Sequence, residues 1–152
     1  MRGVYSVHAS IAAVTAAKTL LQIKAGSATP LEILRVWLEN GSVEVDDTME
    51  VQLLRKSAGA TVTSFTPILF EPSDQAAKAV GGTSATGHTA TAEGTDGDIL
   101  IREGASILAG YTWLPTPEER ILVPPGGIIA LKTALTVNSM VMICGIIFRE
   151  LA

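Results

Sequence analysis

The sequence predicts an all-β domain, a jelly-roll-like antiparallel β-sandwich, and three observations predict it. Apolar residues recur at every second position in several stretches, the period of a half-buried strand. Turn signals built on Gly, Pro, Asn and Asp punctuate the chain at spacings of about 8–15 residues, with no long helical period between them. Hydrophobic residues make up 47% of the 152 positions and charged residues only 17%, with a mean hydropathy of +0.38. A chain of this length forms one domain, residues 1–152, and one so apolar is expected to bury surface against other subunits.

Residues 1–12 read as an N-terminal arm, ordered only by a partner, and lack the compact apolar stretch of a secretion signal. AKTLLQIKA (17–25) places Leu21 and Ile23 on one face and Lys18, Gln22 and Lys24 on the other. PLEILRVWLEN (30–40) follows a turn, with Leu34, Val36 and Leu38 on one face and Arg35, Trp37 and Glu39 on the other. Asn40-Gly41 is a strong turn pair. TMEVQLLRK (48–56) alternates Met49, Val51 and Leu53 inward with Glu50, Gln52 and Lys56 outward. TSFTPILFEP (63–72) is broken by Pro67 and Pro72, which confines it to a sheet edge or an extended loop.

Residues 73–98 form an irregular Gly/Thr-rich segment. Within it, 73–80 read as one or two helical turns capped by Ser73 or Asp74, and the rest as an irregular strand. Residues 98–114 read as two short strands joined near Gly104. RILV (120–123), GIIALKTAL (127–135) and SMVMICGIIFREL (139–151) complete the set, with a break at Val137-Asn138-Ser139.

The final strand is apolar on both faces over about nine residues and needs cover on both sides. The second cover is expected from another subunit, which makes Met140, Met142, Ile146 and Phe148 candidate interface residues. The other candidate surface is YTWLPTPEERILVPPGG (111–127), which holds four of the chain's 7 prolines. Pro115 and Pro117 fix two φ angles and remove two N–H donors, so the stretch cannot join a ladder as a regular strand. A stiff loop loses little entropy on binding, so Trp113, Pro115, Pro117, Glu118, Glu119 and Arg120 are candidate contact residues. Trp113 and Trp37 suit core or interface anchors.

Catalytic and metal-binding patterns are missing. His8 and His88 have no local carboxylate or thiol partner, and the paired His and Glu of a cupin are not present. Asp46-Asp47 and TDGD (95–98) lack the oxygen ligands of a calcium loop, and VGGTSATG (80–87) lacks the lysine of a phosphate cradle. Cys144, the single cysteine, reads as a small buried apolar group in a chain folded in a reducing compartment. The net charge of −4, with no basic patch, argues against direct nucleic-acid binding. Residues 127–148 are long enough to span a membrane but contain Lys132, Asn138 and several hydroxyls, and read as two strands instead. No enzymatic activity, metal or cofactor is expected.

The succession of AAKTLLQIKA, LEILRVWLEN, EVQLLRKSAG, a Gly/Thr-rich middle, LPTPEER…PPGG and a hydrophobic last strand resembles a group of small proteins of tailed bacteriophages and related bacterial elements. The most specific piece spans residues 114–127. The resemblance implies a virion component with a jelly-roll fold, of the capsid decoration (cement) type. That type forms a homotrimer at the three-fold positions of an icosahedral shell. It would be made in the host cytoplasm and would bind the major capsid protein, with no membrane and no direct nucleic-acid contact. The resemblance carries over no catalytic residue. The alternatives are a tail, neck or fibre trimer, a minor or major jelly-roll capsid subunit, or a receptor- or carbohydrate-binding module with Tyr111 and Trp113 as its platform.

Overall fold

The computed structural model describes residues 3–14, 16–41, 47–134 and 140–151. Among them the chain is all β, as two antiparallel sheets packed face to face, with a single 3-10 turn at Pro117–Glu119. The strands are β1 (Val4–Val14), β2 (Lys18–Lys24), β3 (Leu31–Asn40), β4 (Thr48–Ala58), β5 (Thr61–Ser64) and β6 (Ile68–Leu69). They continue with β7 (Gly87–Ala92), β8 (Thr95–Ser106), β9 (Tyr111–Trp113), β10 (Leu122–Val123), β11 (Ile128–Thr133) and β12 (Met140–Glu150).

The first sheet runs β10-β3-β12-β1-β6, with β9 also pairing β3. The second runs β5-β7-β2-β11-β4-β8. The outgoing strands β1 to β4 alternate between the sheets. Each lies beside a returning strand: β12 on β1, β11 on β2, β9 and β10 on β3, β8 on β4. Alternation explains the core. Val7, Ile11, Met142, Cys144, Ile146, Phe148, Val36 and Leu38 project from the first sheet onto Leu21, Ile23, Met49, Val51, Leu53, Ile129 and Leu131 of the second.

Several expectations are corrected. Residues 4–14 are not a loose arm: β1 sits inside the first sheet between β12 and β6, because Tyr5, Val7 and Ile11 are buried at alternate positions. Residues 73–80 form no helix but a turn and irregular backbone, tied down where the Glu150 carboxylate accepts from Lys78 N–H at 2.7 Å and Ala79 N–H at 2.8 Å. β8 runs unbroken through Gly104. Leu34 is only half-buried, because the ladder between β3 and β12 slips there and turns Leu31 and Ile33 into the core. The edge assignment around Pro67 holds: β6 is two residues long and pairs only with β1 among the described residues. Asp46 and the predicted break at Val137, Asn138 and Ser139 lie outside the described residues.

The largest surprise is the outer face of the second sheet. β4 runs on into β5, and β7 runs on into β8, so residues 48–64 and 87–106 form one long antiparallel ribbon. The ribbon turns a corner at residues 58–61 and 92–95. One arm adds to the sheet through β4, the other through β7 against β2. The corner therefore lies across the outer face of β2, β11 and β4. Gly94 makes the crossing possible: its φ is +67°, and a Cβ there would stand 2.5 Å from the carbonyl oxygens of Ala58 and Gly59.

Candidate functional site

The proline loop begins at the end of β9. Trp113 is half-buried and, with Leu100, Ile101, Glu119 and Ile121, lines a shallow groove of about 250 Å3 between the open edges of the two sheets. Pro115 is buried and anchors the loop, whereas Pro117, Glu118 and Glu119 are exposed on the 3-10 turn. The turn is locked locally. Glu119 N–H donates to the Thr116 carbonyl at 3.0 Å, and the Glu119 carboxylate accepts from the Thr116 hydroxyl at 3.2 Å. Arg120 turns back onto its own chain, 3.7 Å from Glu32, whose carboxylate also takes Arg149 at 2.5 Å. The charge triplet therefore splits: two glutamates face solvent and the arginine is engaged. Leu114 and Leu122 flank the loop as exposed leucines, at 73% and 52%. Periodicity could not single them out, because Leu114 lies in the loop and β10, which holds Leu122, is only two residues long.

The four candidates on the last strand are placed differently. Met140, Met142, Ile146 and Phe148 are at most 2% exposed within the monomer and point into the sandwich, with Phe148 stacked on Tyr5 at 5.6 Å. They are core residues, not interface residues. The unfilled half of the strand is the other face, where Ile143 is 39% exposed and Ile147 half-buried. Beside them Trp37 lies over Gly145, so close that a Cβ on Gly145 would sit 2.0 Å from the indole. The Arg35 guanidinium stands 5.2 Å from the Trp37 ring centre. Ser6, His8 and Ser10 of β1 share this face, opposite Ile147, Gly145 and Ile143. The outer face of the first sheet thus presents indole, isoleucine, hydroxyl and imidazole groups.

The second charged site was not anticipated. Lys56, expected to point to solvent, does point to the outer face, but the ribbon corner covers it and its side chain is 0% exposed. Its ammonium donates to Asp96 Oδ1 at 2.5 Å and to the Glu93 carbonyl at 2.6 Å. Lys132 reaches Asp96 Oδ2 at 2.6 Å and stands 3.6 Å from the Glu93 carboxylate. Glu93 in turn accepts from Thr19 N–H at 2.8 Å and Thr19 hydroxyl at 2.7 Å. Beside this cluster Gln22, also expected outward, exchanges two 2.9 Å bonds with the backbone of Ala60. Burial pushes the Asp96 carboxyl up, and the hydrogen bonds and charges of Lys132 and Lys56 more than reverse this, leaving it below its ordinary value. Within the TDGD stretch, Asp96 is thus engaged by two lysines.

Reactive groups are quiet. Burial pushes the Cys144 thiol up to about 12, and it donates weakly to the Ala9 carbonyl at 3.9 Å. His88 is half-buried on β7, where burial lowers its pKa, and meets Phe65 edge-on at 6.2 Å. His8 is exposed and meets the same ring at 5.6 Å. Among the described residues no group of three or more His, Cys, Asp or Glu could hold a metal ion. Among them, too, no helix is long and apolar enough to cross a membrane. No family model, curated protein or solved structure matches this chain.

Proposed function

We propose that this chain is a virion structural protein, a capsid decoration subunit that binds an assembled icosahedral shell as a trimer and stabilises it. The observation that carries this reading is the strand order together with a filled interior. Pairing β1 with β12, β2 with β11, β3 with β9 and β10, and β4 with β8 is the order of one long hairpin rolled into two sheets. That order supports a jelly roll, an architecture shared by capsid proteins, lectins and cupins. Enzymes and ligand carriers of this architecture use the space between the sheets. Here Phe148, Met142, Leu38, Leu21 and Ile129 fill that space with apolar side chains. Function is left to the exterior, where the outer face of the first sheet and the rigid proline loop lie.

The mechanism is mass action. A protein with affinity only for assembled shell subunits stabilises the assembled state. Three weak contacts per trimer add to strong binding once geometry allows them to engage together. Trp37, Ile143 and the exposed Leu114 and Leu122 replace Met140, Met142, Ile146 and Phe148 as the apolar contact residues of this proposal, alongside Glu118 and Glu119.

The test is sedimentation of the purified chain with shells that lack it, alongside its mass by light scattering. A trimer near three times 15.9 kDa that pellets with shells is the expected result. A chain that stays in the supernatant overturns the proposal. A second reading, a carbohydrate-binding module, is favoured by the partly exposed Trp37 with Arg35, His8 and the two serines beside it. It predicts quenching of Trp37 fluorescence by oligosaccharides, lost in Trp37→Ala, with no binding to shells.

A further inference from the structure

The first sheet ends in two short apolar edges. On one side β6 carries Ile68, with Phe70 just after it, both 47% exposed. On the other, Leu114 follows β9 and Leu122 opens β10, and both are exposed. The ladders set these residues in register across the sheet. Ile68 pairs with Ser6, Ser6 with Ile147 and Ile147 with Arg35; Leu114 comes next, beside the Trp113–Val36 pair. Phe70 N–H donates to the Val4 carbonyl at 3.1 Å, Val4 pairs with Arg149, Arg149 with Glu32 and Glu32 with Leu122. Two rows of the outer face thus each begin and end in an exposed apolar side chain, four strand spacings or about 19 Å apart.

We propose that these two edges are the two halves of one subunit contact, in which the β6 edge of one copy packs head-to-tail on the β9–β10 edge of the next. Phe70 then meets Leu122 of the partner subunit, and Ile68 meets Leu114 of the partner subunit. The chain runs the same way at both edges, from Ile68 to Phe70 and from Leu114 to Leu122, so one rotation about an axis along the strands makes both pairs together. Each pair joins residues at the same level of the sheet, so the rotation carries no rise. A head-to-tail contact without a rise closes into a ring instead of growing into a filament. That the ring has three members rests on the decoration reading; the contact itself does not.

Three further features fit a second copy of this chain. Charge is complementary: Glu71 follows Phe70, and the exposed Arg55 guanidinium donates at 3.4 Å to the Leu122 carbonyl, so opposite charges flank the apolar pairs when the edges join. Backbone pairing is ruled out as the means. β6 is two residues long and the proline loop interrupts the other edge between β9 and β10, so side chains make the contact. The apolar groove of Leu100, Ile101, Trp113 and Ile121 opens along the inner side of that same β9–β10 edge, and a subunit lying along the edge covers it. Trp37 and Ile143 lie within the sheet, away from both edges, so shell binding through them and ring closure do not compete.

The test is the solution mass of the full chain and of two edge variants, alone and mixed. Wild-type protein is expected near three times 15.9 kDa, and Phe70→Asp and Leu122→Asp each near 15.9 kDa. Each variant keeps one sound edge, so an equal mixture is expected to form one-to-one pairs near twice 15.9 kDa and no larger ring. A pair forms only if both variants are folded. A trimer unmoved by either substitution overturns the head-to-tail contact and leaves the shell reading standing. A trimer that breaks as expected but ignores shells does the reverse, and a wild-type monomer overturns both oligomeric claims. A milder variant covers the case in which an added charge spoils folding. The chain carrying Phe70→Cys with Leu122→Cys is expected to link into covalent trimers under diamide, while either substitution alone gives none. Absence of linked product in the double variant overturns the proposal.

Discussion

The two sheets share one core but treat their outer faces in opposite ways. The second sheet is covered by its own chain: the ribbon corner buries Lys56, Gln22, Leu54 and Ala130 and joins them to Asp96, Glu93 and the Ala60 backbone. On the first sheet no strand among the described residues covers the outer face, where Trp37, Ile143 and Ile147 point outward beside serines and His8. The difference teaches where charge and apolar surface can be used. Under the ribbon, ion pairs hold two chain segments together and are costly to break singly. On the first sheet and the proline loop, charges such as Glu118 and Glu119 are solvated, so they contribute little to stability and remain available for contact.

Removing one partner from beneath the ribbon is expected to have the largest effect. Asp96→Ala leaves the buried Lys56 ammonium with only the Glu93 carbonyl at 2.6 Å and the Glu93 carboxylate at 3.7 Å, and should cost about 3 kcal/mol, the low end for breaking a buried pair, since a third of Asp96 stays wet. Urea unfolding measures it, and a loss below 1 kcal/mol would mean that the ribbon is held by Gln22 and packing alone. The same pair predicts a pH dependence. The folded pKa of Asp96 lies below its unfolded value, so its contribution is complete above the unfolded carboxylate range and is lost as pH falls through the folded value. The stability of Asp96→Asn should therefore fall less steeply in acid than that of the wild type.

Gly145→Ala sharpens the comparison from the other side. The added methyl group has no room beneath Trp37 and must lift the indole, which should cost about 2 kcal/mol and shift tryptophan emission. Unchanged emission would show that the strand yields rather than the ring. Thr89 at φ 57° is a non-glycine residue in left-handed conformation where β7 slips against β5. Thr89→Gly should stabilise the chain by about 1 kcal/mol, read as a higher melting temperature. The smallest effect is expected at Ile143→Lys on the outer face of the first sheet, within about 0.5 kcal/mol of wild type. If the proposed shell contact uses this face, that variant keeps its melting temperature and loses shell binding.

Alternation made most of the sandwich legible. Met49, Val51 and Leu53 on β4, and Val36 and Leu38 on β3, are buried as their spacing predicts. Pro67 marked an edge, and Pro115 and Pro117 marked the stretch between β9 and β10 that stays out of the ladder, because a missing N–H is a local property. β1 was legible too, in Tyr5, Val7 and Ile11, but position at the chain start outweighed the pattern. Lys56 was not. A lysine on the face opposite Met49, Val51 and Leu53 looks solvent-bound, and the only hint was that its face-mates Leu54, Ile128 and Ala130 are apolar.

By itself, then, the sequence determined what depends on neighbours in the chain: strand periods, turn positions, the rigidity of the proline loop and the apolar character of β12. Tertiary structure alone decided which face of each strand is covered, and by what. Met140, Met142, Ile146 and Phe148 went to the core because β1 and β3 flank β12 and the second sheet packs beneath it. Lys56 became a buried ion-pair member because Glu93 and Asp96, 37 and 40 residues further along the chain on the ribbon's other strand, fold back over it. A strand's period says that its two faces differ, while burial depends on what lies above each face, and that is set by contacts between residues far apart in sequence.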